Sequence, residues 1–178
     1  MKTKKILTAI LAAAILAMPL KSNADATPKE MINDLTSIVK KYGGSIESID
    51  KKTEYLEKFQ MADKVYGISL YQGKDLPDGA LEIDIMGGSS RLVIQDADLD
   101  GIPEYCKHIV HDGNPSTVFV DSKKTPDGWE RSYNGVNAEE VNSQYLITID
   151  MLRKFLELKY IKKDSKGKIP LLQNGEKK

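Results

Sequence analysis

The stretch from 80 to 110, ALEIDIMGGSSRLVIQDADLDGIPEYCKHIV, changes pattern several times, and those changes decide the fold. Leu81, Ile83 and Ile85 alternate with Glu82 and Asp84. A period of two puts the apolar set on one face of a strand and the acidic set on the wet face. GGSS at 87–90 supplies a turn, RLVIQ at 91–95 reads as a second strand, and YCKHIV at 105–110 reads as a third. Connections this short favour antiparallel neighbours. Between the second and third strands lies DADLDGIPE, residues 96–104. It has aspartates at three alternate positions, then a glycine, and a glutamate four positions after the last aspartate. Unpaired carboxylates repel one another, so this loop needs open water or a cation.

Working outward, TVFVD at 117–121 reads as a further strand after a turn at HDGNPS, 111–116. YGISLYQ at 66–72 adds an edge strand, separated from 80–86 by the loop GKDLPDG. Towards the N-terminus the period becomes helical. Thr27 is placed as N-cap, Pro28 at the first helical position and Glu30 to complete a capping box. Met31, Leu35, Ile38 and Tyr42 then form one apolar stripe, and Gly43 and Gly44 end the helix where a left-handed residue is wanted. A second, shorter helix is predicted over 53–63, with Tyr55, Leu56, Phe59 and Ala62 inward. After the turn-rich link TPDGWERSYNG, Asn137 caps a long helix whose stripe is Val141, Tyr145, Ile149, Leu152, Leu156 and Tyr160. The predicted class is α+β: an antiparallel β-meander of about four to five strands with an N-terminal helix and a long C-terminal helix packed across one face.

Residues 1–26 have the plan of a secretory signal peptide. MKTKK is the basic start, ILTAILAAAILAMPL the apolar run, and KSNADA a polar end with small residues, so cleavage is expected after Ala24 or Ala26. The run is short for a bilayer span, and Pro19 and Lys21 close it, which disfavours the alternative of a membrane anchor. No cysteine follows it, which disfavours a bacterial lipoprotein. The expectation is an exported bacterial protein, periplasmic or secreted, with no membrane insertion after cleavage. Residues 27–163 suit a single α+β domain, and 164–178 a flexible polar tail in which Ile169, Leu171 and Leu172 are able to dock. The chain has 26 basic and 26 acidic residues, and removing four lysines and one aspartate with the signal leaves a mildly acidic remainder. That balance gives no reason to expect nucleic acid as a partner.

Calcium prefers six to eight oxygen ligands, and a loop gathers them by turning alternate side chains inward. In that pattern Asp96, Asp98 and Asp100 fall at ligand positions 1, 3 and 5, and Gly101 at position 6 allows the sharp turn. Ile102 offers its carbonyl at position 7 while its side chain enters the core, and Glu104 falls at position 9. Lys107 stands where an EF-hand has its bidentate glutamate, and RLVIQ is β-like, so the loop joins two strands. These ten or so residues resemble the β-hairpin calcium loops of integrin-type (FG-GAP) repeats and are similar to dockerin and thrombospondin calcium loops. The resemblance implies a calcium site with ligands Asp96, Asp98, Asp100, the Ile102 backbone and Glu104. Those families carry the loop in tandem, whereas this chain has one, so no propeller is implied.

Other constellations are weaker. Cys106 is the only cysteine, so no internal disulfide forms, and its place in YCKHIV predicts a buried thiol. On a strand Cys106 and His108 share one face and His111 lies on the other, which leaves a soft-metal site short of ligands. Glu82 and Asp84 are a candidate acid and base pair, but they also fit the wet face of an amphipathic strand. Tyr66, Tyr71, Trp129 and Tyr133 are candidates for a sugar or peptide groove. The expected function is a calcium-binding module with a protein or carbohydrate partner, the alternative being a small secreted hydrolase with no identifiable active site.

Overall fold

The computed structural model describes residues 26–47, 53–73, 76–111 and 115–161. The signal peptide predicted over 1–26, apart from Ala26, the tail predicted over 164–178 and the centre of the turn at 112–114 lie outside the described residues.

Strand alternation runs through more of the chain than the sequence suggested. The fold is α+β with an antiparallel sheet, but among the described residues the sheet has eight strands rather than four or five. They are β1 (Gly44–Glu47), β2 (Thr53–Met61), β3 (Lys64–Gly73), β4 (Leu76–Gly87), β5 (Ser90–Asp96), β6 (Tyr105–Val110), β7 (Thr117–Thr125) and β8 (Gly128–Tyr133), adjacent in chain order. The register carries one inward row across the sheet. Glu57 pairs with Ile68, Ile68 with Ile83, Ile83 with Ile94, Ile94 with Cys106, Cys106 with Val120, and Val120 with Tyr133. Helix α1 (Pro28–Tyr42) and helix α2 (Ala138–Leu156) close this face, and α2 ends in a π-helical turn, Glu157–Ile161. Ile32, Leu35, Tyr145, Ile149 and Leu152 complete the core with Ile68, Ile83 and Leu92. Within the described residues no helix is long and apolar enough to cross a membrane.

Three predictions are corrected by the sheet. The segment 53–61 is β2, not a helix, and Ala62 sits exposed in the following turn. Its inward residues include Glu57 between Tyr55 and Phe59, and that glutamate hid the period of two. Glu57 is only 6% exposed because Lys159 Nζ and Tyr160 Oη, both on the π-helical turn, each donate to its Oε1 at 2.6 Å. A buried carboxylate is tolerated when it is paired in this way. The link at 125–135 contains β8, which pairs with β7. YGISLYQ belongs to β3 in the interior of the sheet rather than at its edge, and β4 begins at Leu76 inside the predicted loop.

The helix ends follow the sequence closely. Thr27 and Glu30 form the capping box, and Asn137 Oδ1 accepts from Glu140 N at 3.1 Å. Gly43, however, is not left-handed: its φ is −75°. Glycine is required there by close approach, since a Cβ would lie 2.6 Å from Val39 O and 2.8 Å from Leu56 O. Cys106 is a free thiol, 1% exposed. Burial pushes its pKa up to about 12, so the thiolate that reagents and soft metals require is suppressed.

Candidate metal centre

The acidic loop joins β5 to β6 as expected, and the ladder fixes both of its ends. Gln95 pairs with Tyr105, and Glu104 N donates to Gln95 O at 2.9 Å. Inside this frame the carboxylates organise the backbone. Asp98 Oδ1 accepts from Asp100 N at 3.3 Å and Asp100 Oδ1 from Ile102 N at 2.7 Å. An aspartate that bonds the amide two residues on makes a local turn, so alternate aspartates wind the chain tightly. Asp96 Oδ2 accepts from Gly101 N at 3.0 Å across the loop, and Glu104 Oε2 accepts from Ala97 N at 2.5 Å. Gly101 has φ +91°. A Cβ there would lie 3.0 Å from Pro28 Cβ and 3.4 Å from Leu146 Cδ2, so the two helices press on the loop.

Asp96, Asp98 and Glu104 each offer a carboxylate oxygen, and these oxygens lie within 4.8 Å of one another. This donor set can hold a metal ion. Neither Cys106 nor His108 belongs to it. Asp100 and Ile102 border the group without joining it: Asp100 Oδ2 and the Ile102 carbonyl both face Arg131 Nη2. The side chain that packs from the loop onto the core is Leu99, in the left-handed region at φ 60°, rather than Ile102 as expected.

Asp96 is the unusual member. It is wholly buried, in register with Leu81 on the face that the helices cover. Tyr145 Oη donates to its Oδ2 at 3.1 Å, whereas its Oδ1 has no hydrogen-bond partner among the described residues. Burial raises the Asp96 pKa to about 6 and, despite the Ala97 amide and Arg131, the Glu104 pKa to about 7. Burial, followed by the nearby Asp100 charge, raises Asp98 as well.

These shifts have a definite sign. A carboxyl group whose folded pKa is raised stabilises the fold below its unfolded pKa and loses that contribution as pH rises through the folded value. The window runs from the ordinary 3.8 and 4.5 of Asp96 and Glu104 up to about 6 and about 7. Burial lowers the His108 pKa and so opposes this trend, but only below its ordinary 6.5. Melting in chelator is therefore expected to occur at lower temperature at about pH 7.5 than at about pH 5. A melting temperature that rises across that interval would mean the buried carboxylates do not control the metal-free stability.

Two participants escaped the sequence reading. Tyr145 reads there only as part of an apolar stripe. Arg131 lies in β8, and its Nη2 contacts Asp100 Oδ2 at 3.2 Å, Ile102 O at 3.3 Å and, closely, Glu104 Oε1. No charge inside the turn balances the carboxylates, but Arg131 offsets one of them from a distant strand. The alternation of Trp129, Arg131 and Tyr133, each half-buried between exposed neighbours, is the signal that would have placed it inward.

The other candidates do not converge. Tyr66 pairs with Ile85 on the covered face, while the odd-numbered Tyr71 lies on the opposite face, so the aromatic residues do not line one groove. Asp84 is held by Arg91 through two bonds of 2.7 Å, and Glu82 by Gln95 Nε2 at 2.5 Å. These are cross-strand pairs of a wet sheet face. No protein-family model, curated protein or solved structure matches the chain. Fold and site together define an α+β protein with a buried acidic centre able to hold a cation.

Proposed function

We propose that the protein is an exported calcium-binding module in which Asp96, Asp98, Asp100, the Ile102 carbonyl and Glu104 hold one calcium ion. The observation that supports this most is Asp96: a wholly buried carboxylate whose Oδ1 has no partner among the described residues, in a group with Asp98 and Glu104. A buried carboxylate oxygen without a donor is costly, and a hard divalent cation supplies the missing counter-charge. An all-oxygen donor set suits calcium or magnesium rather than a soft metal. Calcium is favoured because it accepts a flexible shell of six to eight oxygens, whereas magnesium demands a tighter octahedron. Export rests on the basic start and apolar run of residues 1–26. The role of the ion is to fix the β5–β6 connection under the two helices, and the module then serves binding to a protein or carbohydrate partner.

The test is melting in calcium and in chelator. At ten times its dissociation constant the ion stabilises by roughly 1.4 kcal/mol, a shift of a few degrees. Asp98→Ala should remove most of that shift while changing the chelator value little, because Asp98 is exposed and its Oδ1 accepts from the Asp100 amide of the same loop. A shift of equal size in the variant would place the ion elsewhere.

A further inference from the structure

Arg131 approaches the acidic loop in an unusual way. A guanidinium normally meets a carboxylate through two parallel N–H bonds from different nitrogens. Here three oxygens from three residues converge on the single Nη2: Asp100 Oδ2, Ile102 O and Glu104 Oε1. That nitrogen carries two hydrogens for three acceptors, and Nε of the same fork is buried with no hydrogen-bond partner among the described residues. Three oxygens turned towards one point is the geometry of a spherical cation, not of a planar fork. The same oxygens stand at positions 5, 7 and 9 of the loop.

We propose that Arg131 is an internal counter-cation that occupies the Asp100, Ile102 and Glu104 oxygens in the metal-free protein and yields them to calcium. The inference rests on the calcium reading above and adds the residue that sets its affinity. An ion and a guanidinium cannot share three oxygens, and their like charges repel. Calcium binding must therefore displace Arg131, and the cost of breaking its pairs weakens the apparent affinity. The displacement also reaches the edge of the sheet. Arg131 pairs in register with Ser122, whose Oγ donates to Glu104 O, so one cross-strand pair fastens the β7–β8 hairpin to the loop. Ion binding removes the Arg131 half of that fastening. Trp129, the only tryptophan, lies two residues away on the same side of β8 and reports the change.

The experiment is a calorimetric titration of calcium chloride into chelator-treated wild type and Arg131→Met, with acrylamide quenching of Trp129 followed in parallel. Arg131→Met should bind calcium on the order of tenfold more tightly. In the wild type quenching should increase as calcium is added, and in Arg131→Met it should not respond to calcium. Equal or weaker binding by the variant would overturn the proposal, since it would make Arg131 a support for the ion. Wild-type binding without a change at Trp129 would overturn it independently of whether the variant folds. If neither protein binds calcium, the calcium reading falls and this inference with it.

Discussion

Gly101→Ala is expected to destabilise the protein by roughly 2 to 4 kcal/mol, the sum of a positive-φ penalty and steric overpacking. Both contributions are visible at this residue. Its φ of +91° is one that L side chains rarely adopt, and the added methyl would press on Pro28 at 3.0 Å and on Leu146 at 3.4 Å. Pro28 opens α1 and Leu146 lies on α2, so the strain would spread to both helices that cover the loop. Gly88 provides the control, because its φ is +57° but a Cβ there meets nothing within 4 Å. Gly88→Ala should cost only about 1 kcal/mol, for the backbone alone. Chemical denaturation of the two variants separates the contributions, and equal losses would show that the helices do not press on the loop.

Tyr145→Phe is expected to cost roughly 1.5 to 3 kcal/mol at neutral pH, the range for a hydrogen bond to a charged group. The variant keeps the ring, which is buried in the core, and removes only the hydroxyl that donates to Asp96 Oδ2 at 3.1 Å. Among the described residues Asp96 would then retain the Gly101 amide as its one donor, while remaining wholly buried. Loss of an outer-shell hydrogen bond to a metal-ligating group typically lowers metal affinity by about 10- to 100-fold, so calcium binding should weaken as well. The stability loss should shrink as pH falls below about 6, where the Asp96 carboxyl becomes protonated. A loss independent of pH would mean that the hydroxyl matters for packing and not for the Asp96 charge.

What the sequence disclosed follows from how each residue signals its surroundings. ALEIDIM, RLVIQ and YCKHIV are amphipathic or apolar throughout, and all three are strands where they were expected. The capping box at Thr27 and Glu30 and the Asn137 cap are local devices, readable from spacing alone. β2 was hidden because its inward position 57 is a glutamate, made acceptable by Lys159 and Tyr160 about a hundred residues later. β8 was hidden because its inward position 131 is an arginine answering the carboxylates of the loop. In both cases the alternation is intact, but a charged residue takes an apolar residue's place. The loop itself was legible, since its aspartates act on amides two and five residues away. Its burial under Pro28, Tyr145 and Leu146 was not, because that depends on how the helices dock.

Direct calorimetric titration of calcium into the chelator-treated protein is the simplest test of calcium binding at the acidic loop. A single site with a dissociation constant on the order of 10⁻⁴ to 10⁻³ M, as in extracellular modules, is expected, together with its loss in Asp98→Ala. No heat of binding at millimolar calcium, together with a melting temperature indifferent to chelator, would contradict it.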